Sequence, residues 1–301
     1  MRGTQLAVIG VGRIAAAAPL GFLIGLSLGT LGGGGSILAV PALVYGAGEE
    51  AKAATTTSLV VVGTTALVGM FGHLHAGRVR LVPGLAFGIV GIGGSFVGSL
   101  LNREIPGDVL LLAFSGLILV AAWRMHVRQP AKSSPASAEP LSAVPTAIGG
   151  APAGSDAAGF HPSARPVGAP RPWLSHTRSS QIARVVAAGT VVGFLTGFFG
   201  VGGGFVIVPA LVLALGYEMP IAVGTSLLVI AVSSVEGLAF RLPTESVDWR
   251  VAVPFTLAGV VGVLLGNRIA GRVPAARLTR WFVWLLVAVA AYTAVQSILA
   301  L

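Results

Sequence analysis

The chain has 301 residues, 54% of them hydrophobic and only 10% charged, against about 25% charged in a soluble domain, which excludes an ordinary water-soluble globule. It holds no cysteine, which excludes disulfides, thiolate metal ligands and cysteine nucleophiles. The net charge of +9 does not mark a nucleic-acid binder, because the basic residues stand at the ends of apolar stretches and in one linker, where they set membrane topology.

Stretches free of Asp, Glu, Lys and Arg run 14–48, 53–77, 81–102 and 109–123, and again 185–217, 219–235, 251–267 and 281–301. A spanning helix needs roughly 20 apolar residues, so the expected fold is an all-α polytopic membrane protein with about 8–10 helical membrane segments, located in the cell membrane. The stretch 14–48 is too long for one simple span, since at about 1.5 Å per residue it would reach about 52 Å across a hydrocarbon core of about 30 Å. Its interruption is expected at the cluster Gly32, Gly33, Gly34, Gly35, followed by Ser36 and a helix-breaking Pro41. Next come Thr57 and Ser58, early in the second stretch, and His73 and His75 near its end. Residues 129–180 are rich in Pro, Ala, Ser and Gly and contain no apolar span. They read as a disordered linker.

After the linker the pattern repeats. An offset of 168 residues pairs Pro41-Ala42-Leu43-Val44 with Pro209-Ala210-Leu211-Val212, Thr57-Ser58-Leu59 with Thr225-Ser226-Leu227, Gly25 with Gly193, Gly91 with Gly259 and Gly98 with Gly266, all without a gap. The second cluster is Gly200, Gly202, Gly203 and Gly204, running to Pro209. The chain therefore divides into a first membrane repeat, 1–128, the linker, and a second membrane repeat, 181–301. Glu236 lies in the second repeat, with Arg241 five residues on as a salt-bridge partner at the end of the span.

Non-helical backbone at membrane depth survives only where protein buries it or a watery cavity borders it. Glycine-interrupted segments in corresponding positions of two halves point to a binding site, because free helix N-termini present N–H donors and a positive dipole end. The candidate anion-binding residues are thus Gly32, Gly34, Gly35, Ser36, Thr57, Ser58, Gly200, Gly202, Gly203, Gly204, Thr225 and Ser226. Glu236 and His73 are the candidates for carrying a coupling proton. The competing reading of Ser and Thr in spans is a bond back to their own helix, and that of the isolated glycines is close helix packing.

The segments GLSLGTLGGGGSILAVPALV with AATTTSL, and GFLTGFFGVGGGFVIVPALV with AVGTSL, resemble the sulfite exporter TauE/SafE family over nearly the whole chain outside the linker. The first copy departs from the second at Ser36, where the second has Gly204, and at Gly33, where the second has Val201. The resemblance implies a transporter of sulfur-containing anions such as sulfite or organosulfonates, with the broken helix and the Thr-Ser pair at its centre. The expected partners are a small anion, membrane lipid and a coupling proton or sodium ion; no cofactor and no metal are expected. An intramembrane enzyme would need a nucleophile with a base, or a metal site, and the chain has no HExxH or GxSxG.

Two topologies remain open. If each interrupted stretch crosses once, each repeat has four crossings. If it doubles back, each has an odd number and the repeats are inverted, the arrangement that accompanies paired broken helices. Basic-residue counts divide 13 to 6 in either case, and both versions keep the linker cytoplasmic.

Overall fold

The computed structural model describes residues 18–102, 107–127, 178–199, 204–242 and 245–300. These belong to one compact unit drawn from both sides of residues 130–177. Helix α1 covers residues 18–31 and ends in a 3-10 turn, Gly32–Gly35. Then come α2 (Ser36–Pro41, continued by a π turn, Ala42–Gly46), α3 (Ala51–His75), α4 (Leu81–Asn102) and α5 (Gly107–Val127). Further along the chain lie α6 (Arg178–Phe199), α7 (Gly204–Leu213), α8 (Met219–Arg241), α9 (Trp249–Arg272) and α10 (Ala275–Ala300). No strand occurs among the described residues.

Among the described residues, seven helical runs are long and apolar enough to cross a membrane. Their outward faces are greasy: α4 exposes Leu85, Ile89, Phe96, Val97 and Leu100, and α9 exposes Leu257, Val261 and Leu264. A surface of this kind belongs in lipid.

One of the seven, Ala18–Gly46, has the length of a span but not its path. A Cβ placed on Gly35 would stand 2.6 Å from the Ile24 carbonyl oxygen and 2.7 Å from the Leu28 nitrogen, and one on Gly46 would strike the Leu20 side chain. A straight helix would hold residues 20 and 46 about 39 Å apart. The chain therefore reverses at the glycine turn, and α2 runs back along α1 as a re-entrant hairpin. The reversal happens at glycine and not at proline: Pro209 lies inside an unbroken α7, and Pro41 ends α2 with a change from α to π register. Both prolines correct the expectation of a proline break. A proline ring removes one hydrogen bond and crowds one carbonyl, which a short helix absorbs; only Gly32, at φ +70°, turns the chain.

Helices α3 and α8, whose residues are related by the 168-residue offset, lie side by side and antiparallel. Gly63 meets Ser234, Gly69 meets Leu227, and Gly224 meets His73, while Gly237 meets Leu59. Helix α1 packs on α9 and, at the same offset, α6 packs on α4, each pair running parallel. The seams are backbone on backbone: Gly25 touches Gly259, and Gly193 touches Gly91. Gly262 meets Phe22 while Gly94 meets Thr190, and Gly266 meets Leu26 while Gly98 meets Phe194. Without an apolar driving force between helices in lipid, such small-residue seams gain their energy from close van der Waals contact. The last helices, α5 and α10, pack on each other.

Candidate functional site

The first glycine turn sits at the meeting point of α1, α2, α7, α8 and α10, and all four of its glycines are buried. Each touches a different wall. The Gly32 backbone turns left-handed against the Ser226 hydroxyl and Val223 of α8, a conformation in which a side chain is strained. Gly33 abuts the Gly204 carbonyl so closely that no Cβ fits. Gly34 faces Leu285 and Phe282 of α10, and Gly35 faces α1.

Gly204 in turn meets the Ser36 hydroxyl. The N-termini of α2 and α7 thus come together, at Ser36 and Gly204, which are offset-related positions. Neither first turn contains an acidic residue, and Gly35, the N-cap of α2, has no side chain to cap it. Two positive helix ends are brought together with no fixed negative charge in either first turn.

The Ser36 hydroxyl donates to the Gly33 carbonyl at 2.7 Å and so ties down the turn. Ser58 and Ser226 each donate to a carbonyl three residues back, Thr55 at 2.7 Å and Val223 at 2.8 Å. Their protons are therefore held by their own helices, and they offer lone pairs outward. The neighbouring threonines differ. Thr225 accepts from the Arg80 backbone N–H at 3.1 Å, whereas the equally buried Thr57 hydroxyl has no partner. Gly200, Gly202 and Gly203 lie outside the described residues. Phe114 of α5 packs 5.4 Å from Phe199 and 4.9 Å from Phe205 between ring centroids. Phe282, its offset-related counterpart, covers Gly34.

His73 is buried near the end of α3, its Nε2 donating to the Gly29 carbonyl at 3.3 Å. That assigns the proton of the neutral ring to Nε2 and leaves Nδ1 an acceptor without a partner. Asn267 of α9 lies beside the ring, donates to the Gly69 carbonyl at 2.8 Å, and keeps its Oδ1 unpartnered as well. Sequence reasoning passed over Asn267; a lone amide between a glycine and an arginine at the end of an apolar run was the available signal. Glu236 does not pair with Arg241. Arg241 lies 3.8 Å from Glu245, which also accepts a bond from the Thr56 hydroxyl. Glu236 instead borders a small cavity between α4, α6, α7 and α8. No group of three His, Cys, Asp or Glu able to hold a metal occurs among the described residues.

The family model described as "Sulfite exporter TauE/SafE" matches residues 17–293. A "Probable membrane transporter protein" of Xylella fastidiosa (strain 9a5c) is 31% identical over 280 residues, covering 92% of this chain and 93% of that protein. The "Probable membrane transporter protein YunE" of Bacillus subtilis (strain 168) is 27% identical, covering 83% and 86%. The "Probable membrane transporter protein MJ0441" of Methanocaldococcus jannaschii is 24% identical, covering 83% and 82%. No solved structure matches the chain.

Proposed function

Because this chain is a membrane transporter belonging to the sulfite exporter TauE/SafE family, we propose that it moves a small anion, of the sulfite or organosulfonate class, by alternating access around the junction of α2 and α7. The observation that carries this reading is the meeting of α2 and α7 at Ser36 and Gly204, with no carboxylate in either first turn. Two helix dipoles brought end to end repel each other. A bound oxyanion would relieve that repulsion and accept from backbone N–H groups that a buried helix end leaves free. The unpartnered Thr57 hydroxyl supplies a further donor.

In the same reading the chain is an inverted repeat of 1–128 and 181–301 joined by a cytoplasmic linker, 129–180. The antiparallel pairing of α3 with α8 supports it, since a rotation about an axis in the membrane plane reverses each helix. Alternating access is then a rocking of the α1–α9 and α4–α6 pairs about the glycine junction. The test is thermal unfolding of the detergent-purified protein with sulfite, sulfonates, sulfate and carboxylates at matched ionic strength. Binding to the folded state alone raises stability by mass action, so one anion class should shift the melting curve saturably, and the same class should cross liposomes carrying the protein. A melting temperature unmoved by every anion would refute the reading.

A further inference from the structure

Glu236 stands five residues inside the end of α8, about 7 Å along the helix. It makes no ion pair or hydrogen bond with any described residue. A carboxylate in a span without a partner is expensive to keep. Around it the cavity is lined by three hydroxyls, from Ser95 of α4, Thr196 of α6 and Ser233 of α8, and no other ionisable side chain borders it among the described residues. Gly88, Gly91 and Gly193 also line it.

The direction of the hydroxyl protons decides what this cavity accepts. Thr196 donates to the Val192 carbonyl at 2.8 Å, and Ser233 donates to the Val229 carbonyl at 3.0 Å. With their protons engaged by their own helices, both present only lone pairs to the cavity. Adding the carboxylate gives a lining rich in oxygen acceptors with a single negative charge. An anion is repelled by such a lining, and a proton satisfies only one acceptor beside the one that carries it. A small monovalent cation accepts several oxygen ligands and cancels the charge.

The offset-related region of the chain provides an internal control. There Glu236 is replaced by Val68, Thr196 by Leu28 and Ser95 by Val263, and only Ser233 keeps a hydroxyl counterpart, Thr65. Leu28 and Val263 are fully buried and Val68 packs against the core. An apolar filling therefore suffices for the architecture, and the polar version in one half alone calls for an occupant.

We propose that Glu236, Thr196, Ser233 and Ser95 form a sodium site that couples cation movement to transport. The coupling role rests on the anion-transport reading, whereas the binding of sodium does not. The experiment uses the full-length purified protein with sodium replaced by choline at constant ionic strength and no added anion. Sodium chloride should raise the apparent melting temperature saturably, and potassium chloride at equal concentration should do so far less. Glu236→Gln should keep the choline melting temperature or raise it and lose the sodium response, and Thr196→Val should weaken half-saturation by about tenfold.

A wild-type protein indifferent to sodium would overturn the site, whatever any anion does. So would a sodium response that survives intact in both variants, or one replaced by a response to acid alone. If Glu236→Gln fails to fold, the wild-type sodium dependence and the Thr196→Val variant decide the matter. Sodium stabilisation without stabilisation by any anion would leave the cation site standing and refute the anion reading by itself.

Discussion

Thr57→Val and Thr225→Val make the same chemical change at two offset-related, fully buried positions, and opposite effects on stability are expected. In Thr225→Val the Arg80 backbone N–H loses the oxygen that accepts it at 3.1 Å. A donor left unpaired costs about 1–3 kcal/mol when fully buried, and this part-buried one falls toward the lower end of that range. At Thr57 no bond is lost, because the hydroxyl has no partner. Replacing an unpaired buried hydroxyl by a methyl removes a desolvation penalty of similar size, about 1–3 kcal/mol in protein mutational data. The expected result is a loss of about 1–2 kcal/mol for Thr225→Val and a change between zero and a gain of about 1 kcal/mol for Thr57→Val. Equilibrium unfolding in mixed micelles measures both. The anion-dependent melting shift, measured on the same samples, should be weakened in the Thr57→Val protein although that protein is the more stable of the two. Equal destabilisation by the two substitutions would refute the reasoning, since it would mean that Thr57 has a partner in the folded protein.

Gly33→Val should abolish transport and lower stability severely, because its side chain would fall on the Gly204 carbonyl; normal flux in liposomes would show that the glycine turn does not meet the start of α7. Gly25→Leu and Gly193→Leu should be about equally destructive, since each breaks a backbone seam against Gly259 or Gly91, and the yield of monodisperse protein in detergent reads this directly. Burial raises the pKa of Tyr217, between α7 and α8, with Arg80 opposing part of the shift. The folded state thus holds the phenol proton more tightly than the unfolded chain, and that stability is present below about pH 10 and is lost as pH rises through the folded value. Tyr217→Phe should flatten the alkaline arm of the stability profile.

Much of the fold was legible in the sequence because the long charge-free stretches mark the helices and the 168-residue offset lines up the same residue types in both sets. The glycines at 25, 29, 91, 94 and 98 stood out as packing residues, and the structure sets each of them on the α1–α9 or the α4–α6 seam. The path of 14–48 was not legible, because length permits either a crossing or a hairpin and the basic residues divide equally in both topologies. It took Gly35 beside Ile24 and Gly46 beside Leu20 to decide. At the site, Ser58 and Ser226 were visible as hydroxyls, but the direction of their protons depends on the i−3 carbonyls of their own helices and leaves no trace in spacing. Proximity in sequence misled at Glu236: Arg241 is five residues ahead, but a helix carries it toward Glu245 at the end of the span. The Ser95–Thr196–Glu236 grouping joins three helices from both sides of the linker, and only packing reveals it.

The exchange of partners between α1 and α9, and between α4 and α6, bears on how the protein is made. The glycine face of α1 has its matching surface on a helix synthesised more than 200 residues later. At about 5–20 residues per second, α1 waits roughly 10–50 s in the bilayer with its seam open, while everything from α2 to α8 is synthesised. Neither half owns a complete core, so each expressed alone should be degraded or captured by insertion chaperones. Produced together as two polypeptides cut within the linker, they should rescue each other, each acting as the folding template of the other.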